Sequence, residues 1–114
     1  MDVGQQVEDL ESLIKSEGLE GLIGETHRLI LSSLEKGNKT ATEVLREIEG
    51  KHYITSYWQV VRALLQLKRI RCVREVGRRR TETTTAGIEP IYAITANGRH
   101  LLKTLEKRRS RSRS

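Results

Sequence analysis

The chain reads as an α+β domain that is mostly helical: four helices, a β-hairpin and a closing helix. Three observations predict this. Before residue 70, four stretches place apolar residues at steps of three and four, the period of an amphipathic helix. Residues 70–76 and 88–94 instead alternate and are rich in β-branched residues, the period of strands. Charge is also divided: residues 1–50 hold 5 basic and 11 acidic residues, residues 51–114 hold 16 and 4. At 114 residues the chain suits one domain with one core, and with no Phe that core must be built from Leu, Ile and Val.

The first helix spans residues 3–17. Val3, Val7, Leu10 and Ile14 form its apolar stripe, Leu13 widens it, and Gly18 ends it. So short an amphipathic helix is marginal alone, so it must either cover its own core or pair with a second chain. A second helix covers 25–36, with Leu29, Ile30, Ser33 and Leu34 inward and Gly37-Asn38 as its stop. The third opens on Thr40-Ala41-Thr42-Glu43, a capping box, and buries Ala41, Val44, Leu45 and Ile48. The fourth starts at the N-cap Thr55. Its expected outer stripe is Thr55, Gln59, Arg62, Gln66 and Arg69; its inner stripe is Tyr57, Val60, Val61, Leu64 and Leu67.

The hairpin follows, with a long polar tip expected at 77–87 that carries Arg78, Arg79 and Arg80. Cys72 falls in the first strand as a small core residue. Pro90 cannot donate to a ladder, which marks the second strand as an edge. A last helix runs from near Thr95 to about Arg108 with Leu101, Leu102 and Leu105 inward. Lys107–Ser114 holds five basic residues and is expected to be a disordered tail. The domain plan is thus 1–24 for the N-terminal helix and linker, 25–107 for the folded unit and 108–114 for the tail.

Three short helices followed by a β-hairpin make a winged helix-turn-helix. Residues 25–107 resemble the winged-helix transcription regulators of the MarR, PadR and ArsR kind. Thr40-Ala41-Thr42-Glu43-Val44-Leu45 resembles the start of their positioning helix. Arg62-Ala63-Leu64-Leu65-Gln66-Leu67-Lys68-Arg69-Ile70 resembles the end of their recognition helix. Tyr92-Ala93-Ile94-Thr95-Ala96-Asn97-Gly98-Arg99-His100-Leu101-Leu102 resembles the segment that closes the wing and opens the last helix. Arg69 departs from the pattern, which usually has Gly there, and no sensor module is recognisable. The resemblance implies a regulator that binds double-stranded DNA as a homodimer.

The residues supply their own case for a polyanionic partner. A helix in a major groove would present Ser56, Gln59 and Arg62 to base edges, since Gln suits adenine and Arg suits guanine. Arg78, Arg79 and Arg80 on the wing would meet phosphates or a minor groove, helped by Lys39, Thr40, Thr55 and Arg69. Arg108, Arg109, Arg111 and Arg113 of the tail would add phosphate contacts without reading sequence. Trp58 is expected to pack between helices. A winged helix that binds RNA in a ribonucleoprotein, or one that docks a protein through its N-terminal helix, are the alternatives.

Catalysis has little support. His27, His52 and His100 lie on different elements as surface or helix-end residues, without a carboxylate pair or cysteine at ligand spacing. Gly77-Arg78-Arg79-Arg80 lacks Walker spacing, and the glycines at 18, 21, 24 and 98 read as helix punctuation. One cysteine builds no internal disulfide or Cys-rich metal site. The expectation is a non-enzymatic protein with no cofactor or metal. No bilayer-spanning run or basic signal segment is visible, so a cytoplasmic location without membrane contact is expected.

Overall fold

The computed structural model describes the backbone of residues 3–49, 56–81 and 87–112, and the side chains of residues 10–49, 56–81 and 87–110. The elements follow in the expected order: α1 (Val3–Ser16), α2 (Glu25–Glu35), α3 (Ala41–Ile48), α4 (Tyr57–Arg69), β1 (Val73–Arg80), β2 (Ile88–Ile94) and α5 (Ala96–Ser112). This is a winged helix-turn-helix with an extra helix at each end. Helices α2, α3 and α4 enclose the core, α5 packs on α2, and α1 packs on α5. Ile30, Leu31, Leu34, Val44, Val60, Leu64, Leu67 and Ile70 are its most deeply buried aliphatics.

Local chemistry explains most boundaries. Gly18 sits in the left-handed region at φ 69°, and the Gly18 and Leu19 amides close back on Lys15 and Ile14, a Schellman ending. At α3 the Thr40 hydroxyl accepts from the Glu43 amide at 3.2 Å, and the Glu43 carboxylate accepts from the Thr40 amide at 2.9 Å. The expected capping box is therefore formed.

Helix α4 ends in a second Schellman motif. The Arg71 amide donates to the Lys68 carbonyl at 3.0 Å and the Cys72 amide to the Leu67 carbonyl at 2.8 Å. The left-handed position is Arg71, at φ 61°. The residue that departs from the family's glycine, Arg69, is still helical. The turn instead accepts the cost of a side chain at φ > 0, and the Thr95 hydroxyl holds it by donating to the Arg71 carbonyl at 2.5 Å.

Strands β1 and β2 pair antiparallel, from Val73 opposite Ile94 to Arg80 opposite Ile88, with a bulge between Glu75 and Gly77. The expected tip at 77–87 is too long. Gly77 does not end the strand, and Arg78, Arg79 and Arg80 are ladder residues opposite Pro90, Glu89 and Ile88. A backbone ladder does not depend on apolar side chains, so three arginines do not stop it. Cys72 precedes β1 rather than lying in it, and burial pushes its thiol up to about 12, which leaves it unreactive. Along its other edge β2 makes one bridge, between Tyr92 and Lys39.

Helix α5 continues to Ser112, past the expected end near Arg108. The segment 106–112 contains no Gly or Pro, and its Glu, Lys and Arg residues are good helix formers. The run expected as a disordered tail therefore begins as helix. Gly98 is no punctuation either. It lies in the first turn of α5, where a Cβ would collide with the Cys72 carbonyl oxygen and approach Ile94 Cγ1 to 2.7 Å.

Candidate nucleic-acid interface

The two projecting elements are α4 and the β1–β2 wing. The N-cap of α4 is Ser56; Thr55, the expected cap, lies outside the described residues. Ser56 Oγ accepts from the Trp58 amide at 3.2 Å, and Gln59 Oε1 accepts from the Ser56 amide at 3.1 Å. Two side chains expected to read bases are thus engaged in starting the helix. The signal was in the sequence, because Ser-x-x-Gln is a capping box as much as Thr-x-x-Glu is.

Gln66 turns inward as well. Its Oε1 lies 2.8 Å from His27 Nε2, and His27 Nδ1 accepts from the Gly24 amide at 3.1 Å. His27 is therefore a buried helix-end residue, not a surface one, joining the start of α2 to α4. Burial holds its pKa below the ordinary histidine value, against the opposing pull of Gln66.

The outward stripe of α4 is consequently rotated from the expected one. Trp58, Arg62, Leu65 and Arg69 occupy it, opposite the buried Val60, Ala63, Leu64 and Leu67. Trp58 is 73% exposed and meets Tyr57 of its own helix edge-to-face, at 5.3 Å between ring centres, so it is not buried between helices as expected. Leu65 is 47% exposed. Arg62 and Arg69 make no ion pair among the described residues.

A buried carboxylate joins the wing to the helices. Glu89 of β2 is 1% exposed and accepts from Thr42 Oγ1 of α3 at 2.5 Å and from the Tyr57 hydroxyl of α4 at 2.6 Å. Burial, then this bond, holds the Tyr57 pKa well above the ordinary tyrosine value. Glu89 was not recognisable from the sequence, where it is one charged residue on a short strand. On the same face, Arg79 pairs with Glu43 of α3. Partial burial pulls the Glu43 carboxyl up, but the Thr40 amide and Arg79 outweigh it and hold it below the ordinary value. Lys68 of α4 meets Glu75 of β1 at 3.2 Å.

The other expected contact residues divide clearly. Thr40 is fully buried in its cap. Lys39 donates to the Ser33 carbonyl and lies 3.4 Å from Glu47, so both serve the α2–α3 corner. Arg78 and Arg80 are exposed on the wing face opposite Arg79 and make no ion pair among the described residues. Arg109 points back to Glu25, at 3.9 Å, and Arg108 lies beside it on α5. The Arg111 side chain and Arg113 lie outside the described residues, as does His52.

Cations on two neighbouring elements, Arg62 and Arg69 on α4 and Arg74, Arg78 and Arg80 on β1 of the wing, therefore remain unneutralised by the rest of the described chain. No group of three or more His, Cys, Asp or Glu side chains among the described residues is placed to hold a metal. Among the described residues no helix is long and apolar enough to cross a membrane.

No protein-family model and no curated protein matches the sequence. Among solved structures the chain is similar to a PadR family transcription regulator from hypervirulent Clostridium difficile R20291. The TM-score is 0.61 at 19% sequence identity, over 75% of this chain and 86% of that one. The two share the winged helix-turn-helix fold. The likeness concerns the fold; which partner the arginines meet is decided by their own geometry and chemistry.

Proposed function

We propose that the protein is a sequence-specific, double-stranded-DNA-binding transcription regulator that acts as a homodimeric repressor in the cytoplasm. One observation carries this reading. Arg62 and Arg69 on the outward face of α4 and Arg78 and Arg80 on the wing are all exposed and lack carboxylate partners among the described residues. A helix of this kind enters a major groove while a neighbouring hairpin meets phosphates or the adjoining minor groove. The structural likeness to a PadR family regulator supports the same reading. In a dimer, two α4 helices would address half-sites about 34 Å apart, one helical turn. Repression would follow from occupying a promoter.

Selection from a random duplex pool tests the proposal. An enriched sequence is expected, and structured RNA at equal salt should compete poorly. With about six phosphates neutralised, the slope of log K against log salt should be about −5. Arg62→Ala should relax sequence preference by about 1–3 kcal/mol at one base pair. Arg78→Ala with Arg80→Ala should weaken every duplex and flatten the slope by about 2. Preferential binding of RNA, or identical behaviour of the two variants on selected and random DNA, would reject the assignment. Sedimentation measurements on the full chain and on a chain lacking residues 1–18 test the dimer and the role of α1 in it.

A further inference from the structure

The outward stripe of α4 is not uniformly polar. Trp58, Arg62, Leu65 and Arg69 follow one another at steps of four, three and four, so apolar and cationic side chains alternate along one face. A shallow cavity of about 570 Å³ runs beside this stripe, with Leu22 and Val61 also on its wall. Leu22 is 59% exposed. Clustered exposure of large apolar side chains marks a contact surface. The question is what covers it.

Charge answers it. Each apolar member of the stripe is followed by an arginine with no counter-charge among the described residues, and the unpaired arginines of the wing lie on the neighbouring element. Arginine and aromatic side chains also occur at protein–protein interfaces, but there each unpaired arginine needs a carboxylate from the partner, whereas a duplex brings phosphates for the cations of both elements. Within a major groove the apolar group that bases offer is the thymine C5-methyl. Trp58 and Leu65 are seven residues apart, roughly 10 Å along the helix at 1.5 Å per residue. That is about three base-pair steps at 3.4 Å each. Arg62, between them, faces the position where a guanine presents O6 and N7.

We infer that α4 reads thymine methyl groups: Trp58 and Leu65 each cover one C5-methyl, on either side of a guanine held by Arg62. The inference rests on the DNA reading above and adds the determinant of specificity to it. It also replaces Ser56 and Gln59, whose side chains are engaged in the cap.

The test uses the full chain and the duplex selected from the random pool, in which each thymine is replaced in turn by uracil. The replacement removes the C5-methyl and leaves every hydrogen-bonding group in place. Uracil at two positions about three base pairs apart is expected to weaken binding about fourfold each, which is about 0.8 kcal/mol. Leu65→Ala should bind the thymine and uracil forms equally at one of these positions, and Trp58→Ala at the other. Both residues are exposed, so a thermal melt should show both variants folded. A selected duplex that tolerates uracil everywhere overturns the inference while leaving the DNA reading intact. So do variants that keep the wild-type uracil penalties but change the molar mass of the protein, since the stripe is then a protein-docking surface. Failure to enrich any duplex overturns the DNA reading and this inference together.

Discussion

Glu89→Ala is the most informative single change for the stability of the site. The carboxylate accepts two hydroxyl hydrogen bonds, from Thr42 at 2.5 Å and Tyr57 at 2.6 Å, with 1% of the residue exposed. Hydrogen bonds to a charged acceptor contribute about 1.5–3 kcal/mol each, and a donor left buried without a partner costs about 1–3 kcal/mol. Removing the carboxylate also removes the cost of burying it, which offsets part of the loss. The net expectation is a destabilisation of about 2–4 kcal/mol, read from urea unfolding at neutral pH. Glu89→Gln keeps one carbonyl acceptor and should cost about 1 kcal/mol. Because Glu89 and Tyr57 share one bond, Glu89→Ala and Tyr57→Phe should be non-additive by about 0.5–3 kcal/mol. The Ala variant should also bind every duplex more weakly, since the wing loses its buried tie to α3 and α4 and keeps only the exposed pairs Arg79–Glu43 and Lys68–Glu75 among those described. A loss below about 0.5 kcal/mol, together with additive behaviour beside Tyr57→Phe, would refute the view that this carboxylate holds the wing.

His27 accepts from the Gly24 amide and burial holds its pKa below the ordinary value, so unfolded chains bind the proton more readily than folded ones. Stability should be level well above pH 6.5 and fall as pH drops below it, where the unfolded chain takes up the proton first; a His27→Gln chain with the same fall would reject this assignment. Glu47 is held down to about 2 by the Ser33 hydroxyl, then by Lys36 and Lys39, so its contribution is present above pH 4.5 and is lost as pH drops from there towards 2. Glu47→Gln should cost about 1–2 kcal/mol at pH 7 and little at pH 2.5, and an equal cost at both pH values would show that the charge is not what matters. Gly98→Ala should lower stability by about 1–3 kcal/mol in thermal melts, because the added methyl collides with the Cys72 carbonyl oxygen; a neutral result would mean that the α4–β1 turn can move away from α5 freely.

Most of the local architecture was legible along the chain. Thr40 with Glu43, Gly18 after Ile14, and Thr95 before Gly98 each close a helix end with partners within a few residues, so their signals survive in one dimension. The change from a helical to an alternating period after residue 70 marked the hairpin, though not its true length. Side-chain direction on α4 was less legible. Gln59 and Gln66 fit an outward polar stripe on periodicity alone, yet one completes a cap and the other meets a histidine 39 residues earlier in the chain.

Sequence by itself thus determined the order of the elements, the end of α1, the start of α3 and the placing of positive charge in the second half. Tertiary structure alone decided which charges remain available. Arg79 is neutralised by Glu43, Lys39 is drawn into the α2–α3 corner, and Glu89 is buried between Thr42 and Tyr57, 47 and 32 residues away. Arg62, Arg69, Arg78 and Arg80 are left outside. The physical reason is that periodicity reports how a side chain partitions between water and a core, whereas a buried polar group is stable only with a partner, and that partner can lie anywhere in the chain.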